Sequence, residues 1–280
     1  MEMFKNTDKL IADFEQTIKN PILPINKQKL YVGVDLGTAY IVLTVLDENK
    51  IPIAGAYKFA KVVKDGLVLD FMGAINIVKD LKKEIEEKIG CELNYAAVAV
   101  PPGTGINDSH AVANVAEGAG FEVTNVVDEP TAANALLGIE NGVVVDIGGG
   151  TTGLAIFKDG KVIYVADEAT GGTQFSLVLA GANKITFEQA EILKQDPKKK
   201  LENAAVLRPV CQKVASIIKK HIQDFDVKAI YLVGGTSCLY NIEKVIESET
   251  GIKTYKPQNP LFVTPIGIAM NCKMKYEGDE

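Results

Sequence analysis

The sequence predicts a duplicated α/β fold with two lobes and mixed β-sheets, and two observations lead to this prediction. The first is a repeated segment, in which an apolar strand ends in an aspartate and runs at once into a turn of glycine and threonine residues. This segment occurs at residues 32–38 and again at residues 143–153. The second is the order of elements from each copy onward, in which three antiparallel strands precede alternating helices and strands. The length of 280 residues fits two domains better than one or three.

The first half of the chain has the periodicities of one α/β lobe. Apolar residues recur at helical spacing over residues 4–19, and Pro21 and Pro24 end that helix. A second helix is predicted over residues 70–89, because Gly90 is a typical residue at a helix end. The other elements predicted here are strands at 30–36, 40–47, 51–57, 95–100 and 122–127, a helix at 106–120 and a helix with Pro130 in its first turn.

The second half repeats this order of elements. Strands are predicted at 142–147, 153–158, 161–167 and 229–233, and helices at 173–182, 201–223, 239–250 and 265–275. The chain then divides into a helix with a proline-containing linker at 1–28, a first lobe at 29–140 that a helix at 263–276 completes, and a second lobe at 141–262.

The helix at residues 4–19 has two interpretations. Its apolar residues lie on roughly one side, with charged and amide side chains elsewhere. Such a helix either packs on the main body or detaches and docks into a groove on a partner.

Composition excludes several classes of protein. The net charge is −6, with no long basic run, so nucleic acid is not expected as the main partner. No apolar run approaches the roughly 18 residues of a membrane span, and a cytoplasmic location is expected. The cysteines are scattered without a CxxC pair, so no disulfide framework, zinc site or iron–sulfur site is indicated. They are Cys91, Cys211, Cys238 and Cys272.

Asp35 and Asp146 are the central candidate site residues, because each ends a predicted strand and precedes a Gly/Thr turn. A carboxylate at a strand end can hold a hydrated divalent cation, while glycine N–H groups and threonine hydroxyls can bind phosphate oxygens. One such aspartate is usually a turn cap. Two of them in a repeated frame instead indicate a pair of turns that clamps a polyphosphate and its metal ion.

Two further segments carry candidate chemistry. Glu129 follows a predicted strand and precedes Pro130. Its carboxylate could orient a water for attack on a terminal phosphate, or it could only stabilise the helix dipole. A third glycine turn contains Gly234 and Gly235, where the backbone could lie against a purine or ribose, and Ser237 after it could be only a helix N-cap.

These segments together resemble the motifs of the actin, heat-shock-chaperone and sugar-kinase ATPase superfamily. The likeness spans roughly residues 30–275 and is greatest to the nucleotide-binding half of DnaK-type chaperones, in particular the small stand-alone members of ethanolamine-utilisation operons. The matching segments are Asp35-Leu36-Gly37-Thr38, Asp128-Glu129-Pro130-Thr131-Ala132-Ala133, Asp146-Ile147-Gly148-Gly149-Gly150-Thr151 and Val233-Gly234-Gly235-Thr236.

The resemblance implies an actin-like, ribonuclease H-like ATPase fold with ATP and Mg²⁺ in a cleft between the lobes. It implies that Asp35 and Asp146 hold the metal ion through water, that Glu129 places the attacking water, and that Gly234 and Gly235 contact the adenosine. The residues that it assigns to the phosphates are Gly37, Thr38, Gly148, Gly149, Gly150 and Thr151.

The sequence also departs from the family pattern. The arginine that usually follows the adenosine glycines is missing, and the stretch from Pro257 to Met270 has no acidic residue. The part that normally covers the adenine is short between Gly172 and Leu232, and we expect it to be reduced to one or two helices. A catalytic lysine is not singled out among Lys58, Lys61 and Lys64.

The leading functional hypothesis is an ATP-binding chaperone or assembly factor of ethanolamine utilisation, which works as a slow ATPase switch. Its expected partners are ethanolamine-utilisation enzymes or microcompartment shell proteins, and a homo-oligomer is possible. The helix at residues 4–19 would then serve as a tag for the microcompartment. The alternatives are a filament-forming or degenerate actin-like scaffold and, with less support, a small-molecule kinase, for which Asp70 and Asp108 are the only tempting bases.

Overall fold

The structure is a computed structural model that describes residues 2–25 and 29–274. Its described residues form two compact units. Unit 1 contains the residues up to Gly138 and those from Phe262 onward, and unit 2 contains Ile139–Leu261.

A helix precedes the first sheet, and helices then alternate with strands in both halves of the chain. The elements up to residue 137 are α1 (Lys5–Lys19), β1 (Tyr31–Leu36), β2 (Tyr40–Leu46), β3 (Pro52–Phe59), β4 (Val63–Lys64), β5 (Leu67–Val68), α2 (Phe71–Ile89), β6 (Tyr95–Val100), α3 (Ile106–Gly118), β7 (Glu122–Asp128) and α4 (Glu129–Leu137). The later elements are β8 (Gly142–Ile147), β9 (Thr152–Lys158), β10 (Lys161–Glu168), α5 (Gly172–Asn183), α6 (Phe187–Gln195), α7 (Lys200–Ile222), β11 (Ala229–Val233), α8 (Ile242–Thr250), β12 (Lys253–Tyr255) and α9 (Val263–Met270).

The two units have sheets of the same topology. The sheet of unit 1 has the strand order β3-β2-β1-β6-β7, and the sheet of unit 2 has the order β10-β9-β8-β11-β12. In each, the first three strands along the chain form an antiparallel meander, and the remaining two pair in parallel. The predicted duplicated α/β fold with mixed sheets is therefore confirmed.

Helix α2 shows how the core of unit 1 forms. Its buried side chains include Ile75, Val78, Leu81 and Ile85, which recur at intervals of three and four residues and so share one face. Asp70 caps the helix, because its side chain accepts a hydrogen bond of 2.9 Å from the N–H of Gly73. The helix ends at Gly90, whose φ of 72° is the left-handed conformation that favours glycine.

Helix α7 contributes to the core of unit 2 as α2 does to the core of unit 1. Leu207, Cys211, Val214 and Ile218 lie on its buried face. They belong to one apolar cluster with side chains from β8, β9 and β11. A single helix face thus covers the centre of the second sheet.

Helix α1 is packed on unit 1, in agreement with the first of its two interpretations. Ile11 and Phe14 are buried. The ring of Phe14 lies against Gly55 of β3 so closely that a Cβ there would be 2.6 Å from its Cζ. The same ring meets Phe262 edge to face, with 5.2 Å between centroids.

Several short elements differ from the prediction. Helix α6, the β4–β5 hairpin and β12 were not predicted, since each is too short for a clear periodicity. The helix predicted at 239–250 begins only at Ile242, after a 3₁₀ helix at Gly235–Cys238. The helix predicted at 265–275 is α9, Val263–Met270, and residue 275 lies outside the described residues.

We expect Phe14→Ala to lower the free energy of unfolding by about 3–5 kcal/mol, because it empties a fully buried site between β3 and Phe262. The matched control is Leu23→Ala, whose side chain is 69% exposed, and it should change stability by less than about 0.5 kcal/mol. Urea unfolding followed by circular dichroism measures both. Equal midpoints for the two variants would show that α1 does not contribute to the stability of unit 1.

Candidate functional site

The first candidate turn joins β1 to β2 in unit 1. Asp35 is opposite Val42 in this antiparallel pair, one residue before the end of β1. Gly37 follows, and a Cβ on it would lie 2.7 Å from the carbonyl oxygen of Tyr40. Asp35, Gly37 and Thr38 are all partly buried. The hairpin therefore requires glycine after the strand end that carries the aspartate.

Glu129 is the first residue of α4 and belongs to the same unit. Asp128, the last residue of β7, caps this helix by accepting a hydrogen bond of 2.9 Å from the N–H of Thr131. Pro130 is in the first turn, where a missing N–H has no cost. The Glu129 side chain is partly buried at this fixed junction of strand and helix.

Helix α9 holds both of these segments. A Cβ on Gly33 of β1 would lie 2.5 Å from the backbone nitrogen of Ala269, and a Cβ on Gly267 would lie 2.6 Å from the carbonyl carbon of Ala132 in α4. Backbone therefore touches backbone at both places, which only glycine allows. The strand of Asp35 and the helix of Glu129 are thus fixed against one common element.

Unit 2 contains the second aspartate in a more buried setting. Asp146 of β8 is 5% exposed and is paired with Val233 of β11. Gly234 has a φ of 87°, and a Cβ on it would clash with the carboxylate of Asp146. The same Cβ would also lie 2.6 Å from the carbonyl oxygen of Ile147. Gly234 is therefore the residue that leaves room for the Asp146 side chain.

The turn from Gly148 to Thr151 is held by its carbonyl groups. The Gly148 carbonyl accepts hydrogen bonds from the N–H of Gly172 at 2.9 Å and from Oγ1 of Thr236 at 2.7 Å. The Gly149 carbonyl accepts from the N–H of Thr173 at 2.8 Å and from its Oγ1 at 3.0 Å.

The orientation of the N–H groups in this turn follows from those bonds. In a planar trans peptide, the N–H points opposite to the carbonyl of the same unit. Because the carbonyls of Gly148 and Gly149 point toward α5 and Thr236, the N–H groups of Gly149 and Gly150 point the opposite way. The turn thus presents two adjacent backbone donors on one face, an arrangement that suits an anion.

A largely buried ion pair in α6 supports the turn. The Nζ of Lys194 lies 2.9 Å from Oε1 of Glu191, and both side chains are at most 15% exposed. The same Nζ donates to Oγ of Ser176 at 2.8 Å and to the Gly172 carbonyl at 3.2 Å. Lys194 therefore fixes the first residue of α5, whose N–H in turn holds Gly148.

The third glycine turn contacts the second through Thr236. Its Gly234 N–H donates to the Pro260 carbonyl at 3.0 Å. Ser237 is not an N-cap, because its hydroxyl donates to the Val233 carbonyl at 2.6 Å. Lys256 donates to the carbonyls of Ser237 and Leu239 at 2.9 and 2.8 Å. These bonds fix the turn that was predicted to contact adenosine.

The sequence relatives decide the family. The ethanolamine utilization protein EutJ of Salmonella typhimurium is 43% identical to this chain over 250 residues, which are 89% of this chain and 88% of that protein. EutJ of Carboxydothermus hydrogenoformans has a solved structure that is 47% identical, covers 96% of this chain and 98% of its own, and has a TM-score of 0.87. This chain belongs to the EutJ family.

More distant similarities of this EutJ-family chain concern the fold. Residues 54–180 match the MreB/Mbl protein model, and residues 130–261 match the model of the type IV pilus assembly protein PilM. The structure of MreB5 of Spiroplasma citri bound to ADP has a TM-score of 0.68 at 18% identity over 85% of this chain and 94% of that one. These similarities establish the actin-like fold that the sequence motifs implied.

Chaperones are also among the relatives. The Chaperone protein HscA homolog of Burkholderia thailandensis is 25% identical over 262 residues, which are 75% of this EutJ-family chain. The match covers 42% of the length of the HscA homolog.

The structure groups the predicted site residues by unit. Asp35, Gly37, Thr38 and Glu129 belong to unit 1, whereas Asp146, residues 148–151, Gly234 and Gly235 belong to unit 2. Within unit 2 the two predicted turns are in contact through Thr236 and Gly148. Thr151 is 7% exposed. The predicted metal and phosphate contacts of all these residues remain predictions.

Sequence reasoning missed the residues that hold the second turn in place. Gly171 packs on it, since a Cβ there would lie 2.7 Å from the carbonyl carbon of Gly150. The run Gly171-Gly172-Thr173 has the same composition as the other turns and could have been noticed. Lys194 gave no such signal, because nothing in the pattern of its short helix distinguishes it from the many other lysines of the chain.

The described residues contain neither a cluster of direct metal ligands nor a helix suited to cross a membrane. Within residues 2–25 and 29–274, no group of three or more His, Cys, Asp or Glu residues is arranged to hold a metal ion directly. Over the same residues, no helix has the length and apolar character needed to cross a membrane.

The cysteines differ in environment within this EutJ-family chain. Burial raises the pKa of the Cys211 thiol to about 11, and burial also raises the pKa values of Cys91 and Cys272. Cys238 is exposed, with its Sγ 3.5 Å from Oδ1 of Asn259. All four are free thiols in the structure.

Gly234→Ala should destabilise the protein more than Gly251→Ala. Both glycines have positive φ, 87° and 75°, but a Cβ at Gly251 would meet nothing within 4 Å. Gly251→Ala should cost about 1 kcal/mol for the backbone conformation, and Gly234→Ala about 3 kcal/mol or more because it also clashes with Asp146 and Ile147. Urea unfolding measures the difference, and equal losses would contradict the close contact at Asp146.

Alkylation should separate Cys238 from Cys211. A thiol whose pKa is about 11 is only roughly 0.1% thiolate at about pH 8, so Cys211 should react much more slowly than the exposed Cys238. Maleimide labelling followed by peptide mass spectrometry gives both rates. In urea the four thiols should react alike, which controls for reagent and detection. Equal rates in the folded protein would contradict the burial of Cys211.

Proposed function

We propose that this chain binds ATP with Mg²⁺ and acts as a chaperone-like assembly factor in ethanolamine utilisation, with slow ATP hydrolysis as its switch. The observation that carries the proposal is the glycine turn of unit 2. Its carbonyls are held from one side by Gly172, Thr173 and Thr236, so that the Gly149 and Gly150 N–H groups face the other. Two such donors next to a buried aspartate suit a phosphate and its counter-ion.

The residues present fit a hydrated Mg²⁺. This ion prefers carboxylate oxygen ligands and usually keeps several waters, so no cluster of direct protein ligands is needed. Asp35 and Asp146 are the carboxylates that would hold it through water. When bound, the ion would neutralise phosphate charge. Gly37 and Gly234 support this assignment, because each leaves space at the strand end that carries an aspartate.

Glu129 is the residue that we propose orients the attacking water. Its place at the first position of α4 is fixed by the Asp128 cap and by the contact of α4 with α9. A partly buried carboxylate on a backbone fixed in this way can accept a proton from water. Slow turnover suits a switch, because the nucleotide-bound state must persist.

The biological role rests on the relatives. EutJ is by name an ethanolamine utilization protein, and HscA is by name a chaperone. We therefore propose that the partners are enzymes of ethanolamine utilisation or shell proteins of its microcompartment, and that the protein works in the cytoplasm. Lobe closure on ATP would change the affinity for such a partner.

A filament-forming scaffold is the second candidate. The family model of MreB/Mbl matches residues 54–180, and the MreB5 structure has the same fold. The missing arginine after Gly235 also favours a scaffold that binds purine weakly or not at all.

Asp146→Asn should weaken ATP binding by at least roughly tenfold, because it removes a charge of the proposed Mg²⁺ site with little change in shape. Calorimetric titration with ATP and with ADP, each with Mg²⁺ and with EDTA, measures this. The matched control is Asp226→Asn, which removes a carboxylate that is 82% exposed from the same unit, and it should bind like the wild type.

Two results would contradict the proposal. If the wild type binds neither nucleotide, the scaffold becomes the better explanation. If Asp146→Asn binds as tightly as Asp226→Asn, the nucleotide site does not depend on this strand end. Circular dichroism and urea unfolding of each variant separate lost binding from lost folding.

A further inference from the structure

The two sheets have the same topology, but the edge strands at the meander ends of the sheets, β3 and β10, differ in how they are covered. The edge strand of unit 1 is β3, and α1 together with the segment after it covers that strand. The N–H of Ile22 donates to the Ile53 carbonyl at 2.8 Å, and Phe14 packs on Gly55. The corresponding edge strand of unit 2 is β10, and in the described part of the chain it pairs with β9 alone.

Strand β10 exposes apolar side chains of the kind that usually occur in a strand with a neighbour on both sides. Val162, Ile163 and Val165 are 41%, 48% and 38% exposed. The eight residues from Lys161 to Glu168 contain neither proline nor glycine. Natural edge strands usually prevent pairing with other chains by a proline, a central lysine, a β-bulge or a cover. Among its described residues β10 has no proline, central lysine or cover, and its one irregularity is a register shift between Val162 and Tyr164 in the pair with β9.

Strand β10 is held firmly at its place in the sheet. The hydroxyl of Tyr164 and Nδ1 of His221 are 2.8 Å apart, and Nε2 of His221 is 2.9 Å from Oε1 of Glu168. The Tyr164 ring also packs on Phe225, with 5.0 Å between centroids. These contacts anchor one face of the strand on α7 and its C-terminal end, so a partner strand would meet a preformed template.

The charges of β10 are complementary to those of a second copy of the strand. The sequence is Lys-Val-Ile-Tyr-Val-Ala-Asp-Glu, with a base at the first position and acids at the last two. The register shift between Val162 and Tyr164 puts Lys161 and Glu168 on the same face of the strand. Antiparallel pairing of two such strands about their centre therefore brings Lys161 of each copy next to Glu168 of the other. Opposite charges on facing strands stabilise a sheet, and like charges destabilise it.

We propose that β10 is a self-association edge, through which two copies of this chain pair antiparallel and join their sheets into one of ten strands. The exposed Val162, Ile163 and Val165 would pack against β10 side chains of the second copy. The outward N–H and C=O groups of β10 would gain hydrogen-bond partners. This surface is formed by unit 2 alone and does not depend on bound nucleotide.

A charge exchange tests both the edge and the register. The wild type is expected to be a dimer by size exclusion with light scattering. K161E places two carboxylates opposite each other, and E168K places two ammonium groups opposite each other. Each variant alone should therefore dissociate, with the dimer dissociation constant raised by roughly tenfold or more. An equal mixture of K161E and E168K should form dimers again, because in the mixed dimer one facing pair keeps its native charges and the other has its two charges exchanged, so both pairs are attractive.

The controls show whether β10 or another surface holds the dimer. Ile163→Lys should also give monomers, while Lys228→Glu, an exposed charge elsewhere in unit 2, should leave the dimer intact. Hydrogen exchange should show protection of residues 161–168 in the wild type that is lost in K161E. The double variant K161E/E168K, in which both facing pairs are opposite in charge, should dimerise more tightly than either single variant, although it lacks the contact between Glu168 and His221.

Three results would overturn the proposal. They are a monomeric wild type, a dimer that survives both K161E and Ile163→Lys, and a double variant K161E/E168K that stays as dissociated as the single variants. Circular dichroism of each variant shows whether a loss of dimer comes from a loss of folding.

Discussion

Close contact of backbone with backbone at α9 is the constraint on which unit 1 depends. Gly33 allows the helix to touch β1, and Gly267 allows it to touch α4. A side chain at either position would force the elements apart, since packed interiors have no spare volume. The strand that carries Asp35 near its end and the helix that begins with Glu129 would then lose their common support. Their relative position is thus set by two glycines that carry no chemistry themselves.

In unit 2, hydrogen bonds as well as glycines fix the backbone around the candidate site residues. Its turn has few side chains to pack, so its shape comes from carbonyl groups that accept from Gly172, Thr173 and Thr236. Lys194 extends this support into α6. The anion site that we propose at this turn needs such preorganisation, because glycine residues alone would leave the turn in many conformations.

The sequence predicted those parts of the molecule that local pattern determines. Both aspartate strands, their turns and the long helices α2 and α7 follow from periodicity and glycine placement within a few residues. The bond between Thr236 and Gly148 joins residues 88 positions apart, and no local pattern encodes it. Helix α6 and strand β12 are short and obtain their stability from packing on neighbours, so their own sequences do not predict them. The close approaches of α9 at Gly33 and Gly267 are also contacts between residues far apart in the sequence, which local pattern does not predict.

The two units also differ in how they are connected along the chain. Unit 2 is one continuous stretch, Ile139–Leu261, whereas α9 of unit 1 follows only after it. During synthesis, unit 2 can therefore be complete while β1 and α4 still await the helix that packs on them. Closing a loop of that length is slow compared with local folding. The ribosome thus delivers α9, the helix that packs on both β1 and α4, only after the whole of unit 2.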